Sequence, residues 1–183
     1  DRNQLFRGTT GRLSLVLAMG WFGVMLTRSV IPPLLPSITD TLVISDGQAG
    51  LAMTIMWGVY AVLHFPAGRI SDQLSSRTVL TVSISVILVG IAGLTSVSTY
   101  WTFVYCVGLI GIGAGLYFVP SRILLSDVFT QQRGAALGVQ AAAGTLGSAG
   151  AGGLAIIALA LGPWQSAFPP ILIVLAAVVL TLQ

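Results

Sequence analysis

Arg28 stands out chemically because it lies inside a long apolar stretch. On a helix it would lie roughly 22 Å from Arg12 at about 1.5 Å per residue, in the outer half of an apolar layer about 30 Å thick. An embedded charge costs at least ~2.5–3.5 kcal/mol on insertion scales, so it persists only with a partner or in a wet cavity. A guanidinium stays charged and offers a fork of donors that suits carboxylate or phosphate oxygens. Arg28 is therefore a candidate anion-binding residue. A side chain that reaches the outer headgroups, or a structural pair, remains the alternative.

Three further polar residues are candidates for contact with a bound solute. Tyr60 and His64 share one helix face with Gly68, because the three are spaced by four. Histidine changes its charge nearest to neutral pH, so His64 could relay protons together with Tyr60. The alternative is a histidine that is hydrogen-bonded for packing alone. Gln140 begins a stripe of small residues, and we predict Arg28, Tyr60, His64 and Gln140 as substrate-binding residues.

The sequence lacks the residue sets of the common catalytic sites. A single His and a single Cys cannot form a zinc site. An intramembrane serine protease needs a Ser within hydrogen-bond reach of a His, and Ser148 stands in Gly-Ser-Ala-Gly instead of Gly-x-Ser-Gly. No phosphate-binding loop is present. We expect no enzyme activity, no cofactor and no metal.

The composition identifies the environment that must position these side chains. The chain has 183 residues, of which 55% are hydrophobic and 7% charged, with a mean hydropathy of +0.96. A soluble domain carries about a quarter charged residues. This composition excludes a disordered chain, a nucleic-acid-binding protein and a disulfide-stapled secreted domain. It predicts an all-α polytopic protein in a lipid bilayer.

The apolar runs are long enough for six membrane-spanning helices, since each crossing needs about 20 residues. Ser45 and Gln48 form a capping-box pattern before the second run, and Gly162-Pro163 marks a turn before the last. The predicted spans are 13–35, 49–68, 78–96, 101–121, 134–161 and 164–182.

The arginines predict the orientation of these spans. With six crossings, the loops on one side hold Asp40 and Asp46 and no arginine. By the positive-inside rule the other side is cytoplasmic, so both termini face the cytoplasm, and we expect a plasma-membrane protein. The cytoplasmic arginines are Arg2, Arg7, Arg12, Arg69, Arg77, Arg122 and Arg133.

The segment 68–77, after the second span, resembles the G-x-x-x-D-R-x-G-R-R signature of the major facilitator superfamily. Gly68, Asp72 and Arg77 match this signature, whereas Gln73 and Ser75 depart from it. The fourth span and the loop after it are also similar to the family, and so is the glycine-rich fifth span. These similarities lie in Gly113-Ala114-Gly115, Pro120, Asp127, Arg133-Gly134 and the run 144–153.

The resemblance implies one half of a twelve-helix transporter. This half would contain two inverted three-helix repeats, spans 1–3 and 4–6, whose first helices end in prolines. The second six-helix half would belong to the same chain or to a homodimer partner. A small-molecule substrate would bind near the midplane between the halves, and rocking of the halves would give secondary active transport by symport or antiport.

In the family the loop of Asp72 and Arg77 acts as a cytoplasmic latch against the other half. The resemblance suggests Asp127 as a local partner of Arg77, and small residues on the fifth helix form a groove for close packing or gating. The predicted gating and structural residues are Gly68, Asp72, Arg77, Asp127, Arg133, Gly144, Gly152 and Gly153.

The pattern of the first two spans is similar to the organic-anion transporters of the superfamily, in which an arginine of helix 1 binds a carboxylate or phosphate. A drug/proton antiporter is an alternative, but Ser148-Ala149 stands where such antiporters carry Gly-Pro. Their helix 4 arginine and the glutamine three residues on correspond to Val107 and Ile110 here. A membrane subunit without transport activity is a further alternative.

Overall fold

The computed structural model describes residues 8–182, which form helices and turns without a strand. All six long apolar segments in this range qualify as membrane spans by length and composition, as predicted. Arg2 and Arg7, two of the predicted cytoplasmic arginines, lie outside the described residues. The helices are α1 (Gly8–Leu42), α2 (Asp46–Gln73), α3 (Ser76–Leu94), α4 (Tyr100–Val128), α5 (Arg133–Leu161) and α6 (Phe168–Leu182), with a 3₁₀ turn at Trp164–Ala167 before α6.

Side-chain caps fix where three of these helices begin. The capping box at α2 is confirmed, because Ser45 Oγ accepts from the Gln48 amide at 3.2 Å and Gln48 Oε1 accepts from the Ser45 amide at 2.9 Å. A second capping box starts α4, where Thr99 and Thr102 exchange the same pair of bonds. Ser75 caps α3 through the Thr78 amide. These caps satisfy donors that the first helical turn leaves open.

The prolines do not end their helices, which corrects the prediction that α1 stops near residue 35 and α4 at residue 121. Pro32, Pro33 and Pro36 lie inside α1, which continues to Leu42, and Pro120 lies inside α4, which continues to Val128. A proline removes one helical hydrogen bond, and transmembrane helices tolerate this where other groups satisfy the freed carbonyl.

The loops that are predicted to be cytoplasmic are shorter than expected, because the helices extend into them. Asp72 lies in the last turn of α2 and Arg77 in the first turn of α3, not in a loop between them. Similarly, Asp127 lies in the last turn of α4, and Arg133 is the first residue of α5. α6 begins four residues later than predicted, after the 3₁₀ turn.

The helix contacts follow an exchange between the two predicted repeats. Helix α1 packs mainly on α5, and α4 packs about equally on α2 and α3, so the first helix of each repeat contacts the second helix of the other. The remaining main contacts join α1 to α6 and α3 to α6. Exchanging α1–α3 with α4–α6 maps this pattern onto itself, as expected for two related three-helix units.

Glycines allow close backbone approach where α5 packs on α1 and where α4 packs on α2. A Cβ at Gly147 of α5 would overlap the Phe22 carbonyl of α1, and one at Gly111 of α4 would overlap the Met56 carbonyl of α2. The predicted packing groove on α5 is therefore present, facing α1. α1 is the most buried of the six spans, whereas α2 and α5 are the least buried.

Candidate functional site

Arg28 lies in the middle of α1 with only 2% of its surface exposed. Its guanidinium carbon is 3.7 Å from the centre of the Tyr60 ring and 4.0 Å from that of Trp57, both on α2. A desolvated cation over an aromatic face is stabilised by about 2 kcal/mol or more. The two rings therefore hold the charge in place.

Two of the three guanidinium nitrogens are left without a hydrogen-bonding acceptor. Nε and Nη1 of Arg28 are both buried and have no partner. The described aspartates, Asp40, Asp46, Asp72 and Asp127, are all exposed near helix ends. Because the Arg28 side chain is buried, the alternative in which it reaches the lipid headgroups is disfavoured. Among residues 11–182, no carboxylate forms an ion pair with it. Two open donors of a fixed fork suit an oxyanion.

Tyr60 and His64 are brought together as their spacing predicted. Their ring centres are 4.3 Å apart and nearly perpendicular, and His64 lies 5.0 Å from Phe118 of α4. His64 Nδ1 is 2.7 Å from the Tyr60 carbonyl, which makes Nδ1 the donor and leaves Nε2 as an acceptor in the neutral ring. This bond is what a packing histidine would make, and the proton relay stays a prediction.

These contacts belong to a larger feature, which we name the aromatic strip: Trp57, Tyr60, His64 and Phe118. Trp21 packs beside it, 5.2 Å from Phe118. At the opposite end from Arg28, the guanidinium carbon of Arg122 lies 4.3 Å from the centre of the Phe118 ring. Sequence reasoning missed Trp57, Phe118 and Arg122 as site residues. The available signal was spacing, since Trp57 precedes Tyr60 by three residues and Phe118 precedes Arg122 by four.

Gln140 is placed apart from Arg28. It is 1% exposed, and its Nε2 donates to Ser121 Oγ of α4 at 2.7 Å. Its Oε1 is buried without a partner. Gln140 therefore ties α5 to α4 next to Arg122, and it retains one unused acceptor.

The predicted gating residues fall into two groups. Asp72, Arg77, Asp127 and Arg133 are all exposed, and in the described part of the chain no salt bridge joins them. The pairing of Asp127 with Arg77 therefore stays a prediction. Among the glycines, Gly144 is buried against the Trp21 ring, whereas Gly152 and Gly153 face open space. A Cβ at Gly68 would make only an ordinary contact with Val119.

Comparison with known proteins identifies relatives of this chain. A family model of the major facilitator superfamily matches residues 17–182. The chain is 26% identical over 131 residues to protein spinster homolog 1 of Xenopus laevis, which covers 68% of this chain and 25% of that protein. It is 32% identical over 107 residues to the uncharacterized MFS-type transporter YqjV of Bacillus subtilis, which covers 58% of this chain and 26% of that protein. With riboflavin transporter RibZ of Clostridioides difficile it shares 31% identity over 95 residues, which cover 50% of this chain and 21% of that protein.

The matched region thus spans about a quarter of the length of these curated relatives. Among solved structures, the fold is similar to a bacterial homolog of the human lysosomal transporter spinster, in an inward-facing and unoccupied conformation. That match has a TM-score of 0.83 at 17% identity and covers 94% of this chain and 42% of the other. With a family model matched over nearly the whole chain and six helices suited to a bilayer, this is a multi-pass membrane protein that belongs to the major facilitator superfamily.

Proposed function

We propose that this chain is the N-terminal six-helix half of a secondary transporter that carries a small organic anion by alternating access. The observation that carries the proposal is the Arg28 guanidinium, buried against Trp57 and Tyr60 with two donors unpartnered. A buried charge without a counter-ion is unfavourable, so an anionic ligand gains both the ion pair and the open hydrogen bonds.

The second half would cover the surfaces that this half leaves open. Helices α2 and α5 are the least buried spans, and α2 exposes large apolar side chains such as Phe65 and Val62. Alternating access requires two bodies that rock around a central site. The second body is a further segment of the native chain or a second copy of it. Both termini face the cytoplasm of a plasma membrane in this proposal, because the arginines lie on one side of the predicted topology.

A planar aromatic solute is a second candidate substrate, favoured by the aromatic strip. Ring faces stack on flat solutes regardless of charge. The relative RibZ is named as a riboflavin transporter, and riboflavin has such a flat ring system. The two candidate substrates differ in their dependence on Arg28, because only an anion requires the positive charge of its guanidinium.

The test is uptake by the complete native protein in proteoliposomes, with benzoate as the anionic ring probe and benzyl alcohol as its neutral analogue. We expect Arg28→Gln to abolish protein-dependent benzoate uptake and Arg28→Lys to retain at most about a tenth of it, because lysine lacks the fork. Arg12→Gln is the matched control, since Arg12 is an exposed arginine of the same helix.

Unchanged benzoate uptake in Arg28→Gln would overturn the anion proposal. Protein-dependent flux that is insensitive to Arg28, and that a proton gradient drives, would favour the drug/proton antiporter. Absence of flux for every probe, in protein that binds them, would favour a membrane subunit without transport activity.

A further inference from the structure

We propose that Arg122 forms a second, inner anion site, joined to the Arg28 site by the aromatic strip. This inference rests on the proposed function, because it assigns the next binding position for the same kind of solute. The sequence accounts for Arg122 only as one of the arginines that set the orientation of the spans in the membrane. That role does not explain the position of its side chain.

An arginine that serves only the positive-inside rule extends its head into water or headgroups. Arg122 is instead partly buried, and its guanidinium carbon lies 4.3 Å from the centre of the Phe118 ring. Its Nε is buried and has no acceptor. Arg122 also lies ~9 Å inside the cytoplasmic end of α4, at about 1.5 Å per residue to Val128. The side chain therefore turns into the protein.

The environment of Arg122 repeats that of Arg28. In both, the guanidinium lies over an aromatic ring of the strip, and buried nitrogens lack acceptors, namely Nε and Nη1 of Arg28 and Nε of Arg122. In the part of the chain that the structure describes, no aspartate is paired with either one. An oxyanion at Arg122 would satisfy the buried donor as it would at Arg28.

The strip between the two arginines is continuous. Arg28 contacts Tyr60, Tyr60 contacts His64, His64 contacts Phe118, and Phe118 contacts Arg122, with every step between 3.7 and 5.0 Å. A solute with a flat body and one anionic group can thus keep ring contact while its charge passes from the outer arginine to the inner one. Gln140, hydrogen-bonded to Ser121 beside Arg122, offers its free Oε1 to a donor on the same solute.

Arg69 provides a matched control on the same side of the membrane. Its guanidinium carbon lies 5.2 Å from the centre of the Phe65 ring, but Phe65 is 76% exposed and not part of the strip. Arg69→Gln therefore removes the same charge, and the same kind of ring contact, without touching the proposed path.

The experiment counts labelled benzoate bound to the detergent-purified complete protein by equilibrium dialysis. We expect Arg28→Gln and Arg122→Gln each to lose one equivalent of benzoate relative to the wild type, the double variant to lose two, and Arg69→Gln to lose none. Arg122→Lys should weaken the inner site by about tenfold, because the charge remains but the fork is lost.

If a variant does not fold, a labelling experiment on the wild-type protein tests the same site. Phenylglyoxal labelling of Arg122, mapped by mass spectrometry, should slow in the presence of benzoate but not of benzyl alcohol, while Arg69 labelling stays constant. The inner site is overturned if Arg122→Gln binds as much benzoate as the wild type, or if labelling of Arg122 ignores benzoate. Loss of binding in Arg28→Gln alone would keep the proposed function and remove this inference. Loss of benzoate binding in Arg122→Gln alone would keep an anion site at Arg122 but contradict both the proposed role of Arg28 and the path between the two arginines.

Discussion

Arg28 and the charges at the helix ends that are predicted to be cytoplasmic are held in opposite ways. Arg28 is enclosed by rings of another helix, so its position is set by the packing of these six helices alone. Asp72, Arg77, Asp127 and Arg133 are exposed and form no ion pair with each other in residues 8–182. The difference teaches that these six helices fix the proposed binding group by themselves, whereas the proposed latch charges have no partner among the described residues. Binding and gating should therefore separate experimentally.

The largest effect should come from a change that disrupts the contact between α1 and α5, because α1 carries Arg28. Gly147→Val places a side chain against the Phe22 carbonyl, a backbone atom that cannot move aside without shifting α1. Overpacking of this kind destabilises by about 1–3 kcal/mol or more. We expect most of the protein to be lost as aggregate in fluorescence-detected size-exclusion chromatography.

Gly150→Val is the control for this contact, because the glycine faces open space. It should run as the wild type does. Equal loss in both variants would mean that helix propensity, not the α1–α5 contact, explains the result.

The separation of binding from gating is tested by Asp72→Asn. Because Asp72 is exposed and far along α2 from Tyr60, benzoate binding in detergent should stay within a factor of about two of the wild type. Loss of the latch charge should lower benzoate uptake into proteoliposomes by about tenfold, as for one charge-assisted contact. The comparison fails if binding and uptake fall together.

A smaller effect is expected from the ring that holds Arg28. Tyr60→Leu removes one of the two faces that contact the guanidinium, and a cation–π contact stabilises by about 0.5–2 kcal/mol. Benzoate affinity should fall by roughly threefold to thirtyfold in isothermal titration. Tyr105→Leu, at a tyrosine that is 67% exposed on α4, should leave the affinity unchanged.

The smallest effect concerns the cap of α2, which carries both Trp57 and Tyr60. Ser45→Ala removes the acceptor for the Gln48 amide, and such caps stabilise by about 1 kcal/mol. A fall of a few degrees in the midpoint of thermal unfolding is expected, with benzoate affinity retained. A loss of affinity without loss of stability would show that the N-terminal end of α2 acts on the site directly.

Sequence alone predicted the features that repeat along one helix. The six spans follow from apolar length, and the Tyr60–His64 contact follows from a spacing of four on α2. The order of the spans also predicted that Asp72 and Arg77 lie where the second span ends and the third begins, although both are in the helices themselves. Helix ends were less predictable, since α1 continues through three prolines that would break a helix in water.

Contacts between helices could not be predicted in the same way. Periodicity places residues on a face but does not set how one helix is rotated against another. Trp57 and Phe118 therefore went unrecognised, and Gln140 was grouped with Arg28 although its hydrogen bond is to Ser121. The glycines at 111 and 147 decide those rotations through backbone contacts that no single-helix pattern contains.

The central claim is that the Arg28 guanidinium binds the anionic group of the solute, and Trp57 reports on it from 4.0 Å. The most direct measurement is the fluorescence of complete protein in which Trp57 is the sole tryptophan, titrated with benzoate and with benzyl alcohol. The account predicts a saturable change with benzoate that disappears in Arg28→Gln, whereas any response to benzyl alcohol persists. An identical benzoate titration curve in Arg28→Gln would contradict it.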